Sequence, residues 1–317
     1  MTSSPIAPPD VSRARWQAEF LLLAAIWGSS FLFIKVIGEH WSPVYIALGR
    51  VSLGAATLLG FLAWRRRRLP SGLAVWGHLA VAGLLVNVAP FTLIAYGETK
   101  VSSVLAGLWN ATTPLFALVF VLLFFREERL DRRVITGLFV GFAGATIVLA
   151  PWSGLGGNAL LGDLACLAAG ACYGLGFPYV RRHLATRAEG AVPLAAGQLL
   201  CATAVLAAAA PFAPPPDMDL GVDGVASVLA IGILGSGVAY VLNYEILEAA
   251  GATIGSTVTY VIPVFSTLLG VVVLSEPLSW NEPLGALVVI TGIAISQGVI
   301  SVPLRAARRR RRSLDPA

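Results

Sequence analysis

Arg50 is the one charged side chain set well inside an apolar stretch of this chain, and a guanidinium there has two natural uses. It can pair with an anionic group on a small molecule, such as a carboxylate, or its flexible stem can carry the charge out to the nearer surface. Other polar side chains lie in comparable stretches: Trp27, Ser30, Tyr96, Trp109, Asn110, Thr113, Tyr173, Tyr240, Asn243, Tyr244, Thr259 and Tyr260. Each carries N–H or O–H groups that hydrocarbon cannot satisfy, so each needs a partner in protein or water. Facing inward, they would line a cavity for a polar small molecule. The competing reading is a packed helix interface for the tryptophans and an interfacial anchor for Tyr96. Covalent chemistry is poorly served. His40, His78 and His183 fall in separate segments, and no catalytic constellation forms around them. Cys166, Cys172 and Cys201 have no metal-ligand spacing and read as small buried fillers. No cofactor or metal is expected. No G-x-x-x-x-G-K-[ST] loop is present, so ATP bound to this chain is not the expected driving force.

These residues cluster around two prolines in matching company. One run is Asn110-Ala111-Thr112-Thr113-Pro114-Leu115-Phe116, followed by Glu128; the other is Thr259-Tyr260-Val261-Ile262-Pro263-Val264-Phe265, followed by Glu276. Inside a helix, Pro114 and Pro263 each remove a donor and free the carbonyl four residues earlier, which belongs to Asn110 and Thr259 respectively. A freed carbonyl in hydrocarbon costs several kcal/mol, so it must face protein or water. Both prolines read as helix kinks, compatible with a polar notch beside them. Tyr173-Gly174 takes the place in the second half that Trp27-Gly28 takes in the first, and Tyr240 and Tyr244 share one helix face.

The elements that hold these residues are set by composition. The 317 residues are 57% hydrophobic and only 12% charged, more apolar surface than a soluble protein can hide. Ten apolar stretches follow one another, at roughly 18–38, 43–64, 73–95, 101–124, 133–151, 160–180, 191–211, 225–247, 253–274 and 283–302. The Gly-rich run from Ser153 to Asn158 divides them five and five. With the N-terminus in the cytoplasm, 19 of the 22 basic residues fall inside, including Arg65–Arg68 and Arg308–Arg312. These Arg runs abut apolar spans, so they fit topology and anionic lipid rather than nucleic acid. An odd number of spans per half forces the halves to enter from opposite sides, as inverted repeats.

The chain resembles the drug/metabolite transporter superfamily, in particular its EamA-type ten-helix members. The matching pieces are Ala25-Ile26-Trp27-Gly28-Ser29-Ser30-Phe31, Arg50, Pro114 with Glu128, Pro263 with Glu276, Gly162-Asp163, and Gly285 with Gly292. The likeness implies an exporter of amino acids or other small metabolites, with drugs as a further class. It also implies that the fifth and tenth spans pack at the periphery and that some members dimerise. Gly137, Gly141 and Gly144 in the fifth span permit close helix approach, within one chain or across a homodimer.

The expectation is therefore an all-α integral membrane protein of ten transmembrane helices, in two inverted five-helix repeats with both termini cytoplasmic. Its parts are a cytoplasmic tail at 1–17, repeats at 18–153 and 154–302, and a basic tail at 303–317. It would lie in the cytoplasmic (inner) membrane of a prokaryote as a multi-pass secondary transporter, working by alternating access on a small-molecule substrate. The lipid bilayer is its solvent and nucleic acid is not a partner. The alternatives are a non-transporting membrane receptor or assembly factor and, with less to support it, a membrane-embedded enzyme.

Overall fold

A computed structural model describes residues 10–125, 132–150, 157–184, 187–250, 258–296 and 299. Glu128, most of the Gly-rich midpoint and the basic tail at 303–317 lie outside the described residues, as do the side chains of Tyr244 and Tyr260. Among the described residues there is no strand. The first half runs α1 (Asp10–Ile37), α2 (Pro43–Trp64), α3 (Leu73–Gly83), a π-helical segment (Leu84–Val88), α4 (Ala89–Glu98), α5 (Ser103–Asn110), α6 (Thr113–Phe120), a second π-helical segment (Val121–Phe125) and α7 (Arg132–Leu149). The second half runs α8 (Gly157–His183), α9 (Ala191–Ala209), a 3₁₀ turn (Ala210–Phe212), α10 (Gly221–Leu229), a π-helical segment (Ala230–Val238), α11 (Ala239–Ala250), α12 (Val258–Val273) and α13 (Asn281–Ser296).

Seven helical stretches among the described residues are long and apolar enough to cross a membrane: Arg15–Ile37, Pro43–Trp64, Leu73–Glu98, Ser103–Phe120, Ala159–His183, Ala191–Phe212 and Gly221–Asn243. The fifth, ninth and tenth expected stretches fall on shorter apolar helices, Ile135–Val148, Val261–Val273 and Asn281–Ile295.

Packing is reciprocal between the halves. Gly28 of α1 lets that helix close on α12, where an added Cβ would collide with Phe265 and lie 2.9 Å from Ile262 O. Its counterpart, Gly174 of α8, closes on α6, where a Cβ would lie 2.5 Å from Phe116 Cβ. In the same way α2 packs against the π-helical segment 230–238, while α9 packs on α3 and the segment 84–88. The glycine face of α7 is occupied within the chain by α13. A Cβ on Gly144 would lie 2.5 Å from Val289 N and 2.8 Å from Gly285 O, so backbone meets backbone. Asn281 Nδ2 adds hydrogen bonds to the carbonyls of Ile147 (3.4 Å) and Val148 (3.1 Å), at the last turn of α7. The largest core cluster joins both halves, with Phe31, Ile34, Trp109 and Leu115 against Ile231, Ile262 and Ile293.

The two prolines behave differently. α5 stops at Asn110 and α6 begins at Thr113, so Pro114 sits in the first turn of a new helix, where its missing N–H costs nothing. The intervening turn is closed by Ala111 N–H to Leu108 O (3.1 Å) and Thr112 N–H to Trp109 O (3.0 Å). Pro263 lies inside the continuous helix α12. The expected pair of kinks is thus a break in one half and an embedded proline in the other.

Candidate functional site

Both long interrupted helices carry a π-helical segment at corresponding places, 84–88 in the first half and 230–238 in the second. In a π segment the widened turn leaves backbone carbonyls open to outside donors, which is why such segments gather at functional sites. In the first half Pro90 follows two residues on, and a proline ring cannot accommodate the carbonyl of Val86 in a regular helix. In the second half Gly232, Gly235 and Gly237 permit α2 to press in.

Three expected residues converge on the second segment. Trp27 Nε1 donates to Gly235 O (3.2 Å), Ser30 Oγ would sit 3.3 Å from a Cβ placed on Gly235, and Arg50 Nε donates to Ser236 Oγ (3.1 Å). Arg50 does not reach outward. It is 7% exposed, and its guanidinium lies 4.0 Å over the Phe91 ring. Tyr173 and Tyr240 are within electrostatic reach of it. Its two Nη groups have no hydrogen-bond acceptor among the described residues. A buried planar fork with free donors is what a carboxylate requires.

Tyr240 is held by two buried amides that the sequence did not single out. Gln198 Nε2 donates to Asn87 Oδ1 (2.6 Å), and Asn87 Nδ2 donates to the Tyr240 hydroxyl (2.9 Å). Asn87 is fully buried within the segment 84–88, and Gln198 is buried on α9. The signal was there: each is an amide deep in an otherwise apolar span.

A second group forms at the break in α5 and α6. Trp109 Nε1 donates to Asp163 Oδ1 (2.7 Å) on α8, and both side chains are buried. Thr112 Oγ1 donates to Trp109 O (2.7 Å). The Thr113 hydroxyl is buried and has no partner among the described residues. Asn110 is half-buried at the end of α5. α8 comes this close because Gly170 has no side chain: a Cβ there would lie 3.1 Å from Thr112 Oγ1.

The remaining candidates make other contacts. Tyr96 is 38% exposed, with Lys100 Nζ 5.1 Å over its ring. Tyr173 stacks on Phe177. Asn243 is half-buried on α11, and Thr259 is half-buried in the first turn of α12. His78 and His183, separate in sequence, stack with ring centroids 4.6 Å apart, and His78 Nδ1 shares a 2.8 Å hydrogen bond with the Tyr179 hydroxyl. No group of three or more His, Cys, Asp or Glu able to hold a metal occurs among the described residues.

The model of the EamA-like transporter family matches twice, over residues 16–150 and 160–297. The chain belongs to the EamA-like transporter family. It is therefore a multi-pass membrane protein of a transporter family, built of two EamA repeats. It is 24% identical over 290 residues to an uncharacterized transporter of Archaeoglobus fulgidus, covering 87% of this chain and 96% of that one. It is 28% identical over 277 residues to the uncharacterized inner membrane transporter YedA of Escherichia coli K12, covering 86% and 87%. A crystal structure of a protein shares the fold with a TM-score of 0.64 at 22% identity, over 90% of this chain and 97% of that one.

Proposed function

We propose that this member exports small carboxylate-bearing metabolites, amino acids or close relatives, across the cytoplasmic membrane as a secondary transporter. In this reading the three shorter helices complete ten spans, and the termini face the cytoplasm. The halves are then inverted repeats that exchange inward- and outward-facing conformations. The reciprocal packing of Gly28 on Phe265 and Gly174 on Phe116 supports that exchange, since each half grips the other through the same positions.

The observation that carries the substrate class is Arg50. A buried guanidinium with uncommitted Nη donors, an aromatic face beneath it and two tyrosines nearby matches a substrate with one carboxylate and a modest apolar body. Gly235 O, already drawing Trp27, and the Asn87–Tyr240 pair border the same region. The test is competition. Saturable flux of a labelled amino acid in proteoliposomes should be inhibited by other α-carboxylates and not by the matching amines lacking the carboxyl group. Inhibition by the amines at equal strength would remove Arg50 from substrate recognition.

A further inference from the structure

Of the carboxylates near the ends of the apolar stretches, Asp163, Glu276 and Glu245 are accounted for. Asp163 accepts the Trp109 indole, Glu276 accepts three donors at the start of α5, and Glu245 lies partly open, 3.6 Å from Arg15 Nη2. Glu98, in the last turn of α4, is different. It is 3% exposed, and neither carboxyl oxygen has a hydrogen-bond partner among the described residues. The cation beside it is engaged elsewhere. Lys35 Nζ donates to the backbone carbonyls of Glu98 (2.7 Å) and Val101 (2.9 Å), not to the carboxyl group. Lys35 and Glu98 also line a cavity of about 210 Å³, together with Glu39 and Thr99.

A buried carboxyl group with no donor is unstable as an anion. A metal cation would need several more oxygens around it, and Lys35 and Arg50 are both within electrostatic reach of this carboxyl group. The charged and titratable groups near Glu98 are Lys35 from α1, Glu39 just beyond it, Arg50 from α2, Cys166 from α8, and Glu276 beyond α12. α5 and the segment 84–88 bring none. We propose that Glu98 is a proton-binding site reached through the Lys35 cavity, and that its proton is the coupling ion of transport. The proton comes from water on the Lys35 side, forming an O–H bond on the carboxylate, and returns to water on the other side when that bond breaks. The coupling half of this inference rests on the transporter reading; the proton-binding half does not.

The test has one arm for each half. Infrared difference spectra of the purified full-length protein in lipid, taken as pH is lowered, should show the C=O stretch of a buried carboxylic acid. That band should be lost in Glu98→Gln, kept and shifted in Glu98→Asp, and unchanged in Glu245→Gln. A spectrum identical in wild type and a folded, monodisperse Glu98→Gln would overturn the proposal. So would a band that sodium ions suppress at constant pH, which would mark a metal-cation site. In proteoliposomes, an imposed pH gradient should drive labelled amino acids above equilibrium in wild type and Glu98→Asp, and this should be lost in Glu98→Gln. Gradient-driven accumulation that survives in Glu98→Gln overturns the coupling role. Absence of flux in wild type defeats the transporter reading and its coupling role together, and the infrared band still decides whether Glu98 binds a proton.

Discussion

Glu276, in the second repeat, caps a helix that begins at Ser103, in the first. Its Oε1 accepts the Ser103 N–H (2.8 Å), and its Oε2 accepts the Ser103 hydroxyl (2.8 Å) and the Val104 N–H (3.1 Å). Helix α5 has only two turns, so its free N–H groups matter more than in a long helix. A carboxylate there also favours the positive end of the helix dipole. The proline of the first repeat and the glutamate of the second thus act on one helix: the break just before Pro114 shortens the helix that Glu276 holds.

Replacing Glu276 with Ala should destabilise the protein by roughly 2–3 kcal/mol, the scale for hydrogen bonds to a charged group. Glu276→Gln should lose about half of that, because its amide oxygen can still accept. Thermal unfolding of the purified protein in one detergent measures both. Equal stability of Glu276→Ala and wild type would show that the cap is not needed.

Trp109→Phe keeps the ring and removes the donor to Asp163. A buried carboxyl that loses its partner costs about 1–3 kcal/mol, more if it stays charged. We expect lower stability in Trp109→Phe, and recovery of most of it in Trp109→Phe combined with Asp163→Asn. The same unfolding assay reads the cycle. Additive losses would mean that the two groups do not interact.

Asn87→Leu leaves both the Tyr240 hydroxyl and the Gln198 amide without their partner. The expected cost is roughly 2–4 kcal/mol, from two unsatisfied buried groups. Asn87→Leu with Gln198→Leu should be more stable than Asn87→Leu alone, because the second orphan is gone. Transport should fall in both, since Tyr240 loses its anchor beside Arg50. Full flux in Asn87→Leu would place Tyr240 outside the site.

Gly144→Ala separates two effects of opposite sign. Ala should favour a helix over Gly by about 1 kcal/mol. At Gly144, however, the added Cβ would lie 2.5 Å from Val289 N on α13, so the two backbones must part. Overpacking of this kind costs about 1–3 kcal/mol, and net destabilisation is expected. A gain in stability would mean that the α7–α13 seam is looser than it stands here.

Much of this was legible in the residues. Seven of the ten hydrophobic runs fall on helices long and apolar enough to span and three on shorter apolar helices, and the spacing of Gly137, Gly141 and Gly144 announced a close helix contact, because only missing side chains allow one. The indoles of Trp27 and Trp109 announced partners for the same reason that lipid cannot serve them. Which partners was not legible: Gly235 and Asp163 come near only through packing of distant segments. The fate of the two prolines was hidden too. The same residue broke one helix and was absorbed in another, because the surrounding turn could close at Ala111 and Thr112 in the first half. Asn87 and Gln198 were visible as polar residues in apolar spans but could be paired only in three dimensions.

The most direct measurement is flux in proteoliposomes carrying wild type or Arg50→Ala, against a panel of labelled amino acids and amphipathic cations. Wild type should show saturable flux of at least one carboxylate-bearing compound. Arg50→Ala should raise its KM or cut its flux by about 10- to 100-fold, the equivalent of one lost charge-assisted hydrogen bond pair, with Arg50→Lys between the two. Saturable flux of cations alone, or carboxylate flux unchanged in a folded Arg50→Ala, would contradict a carboxylate site at Arg50.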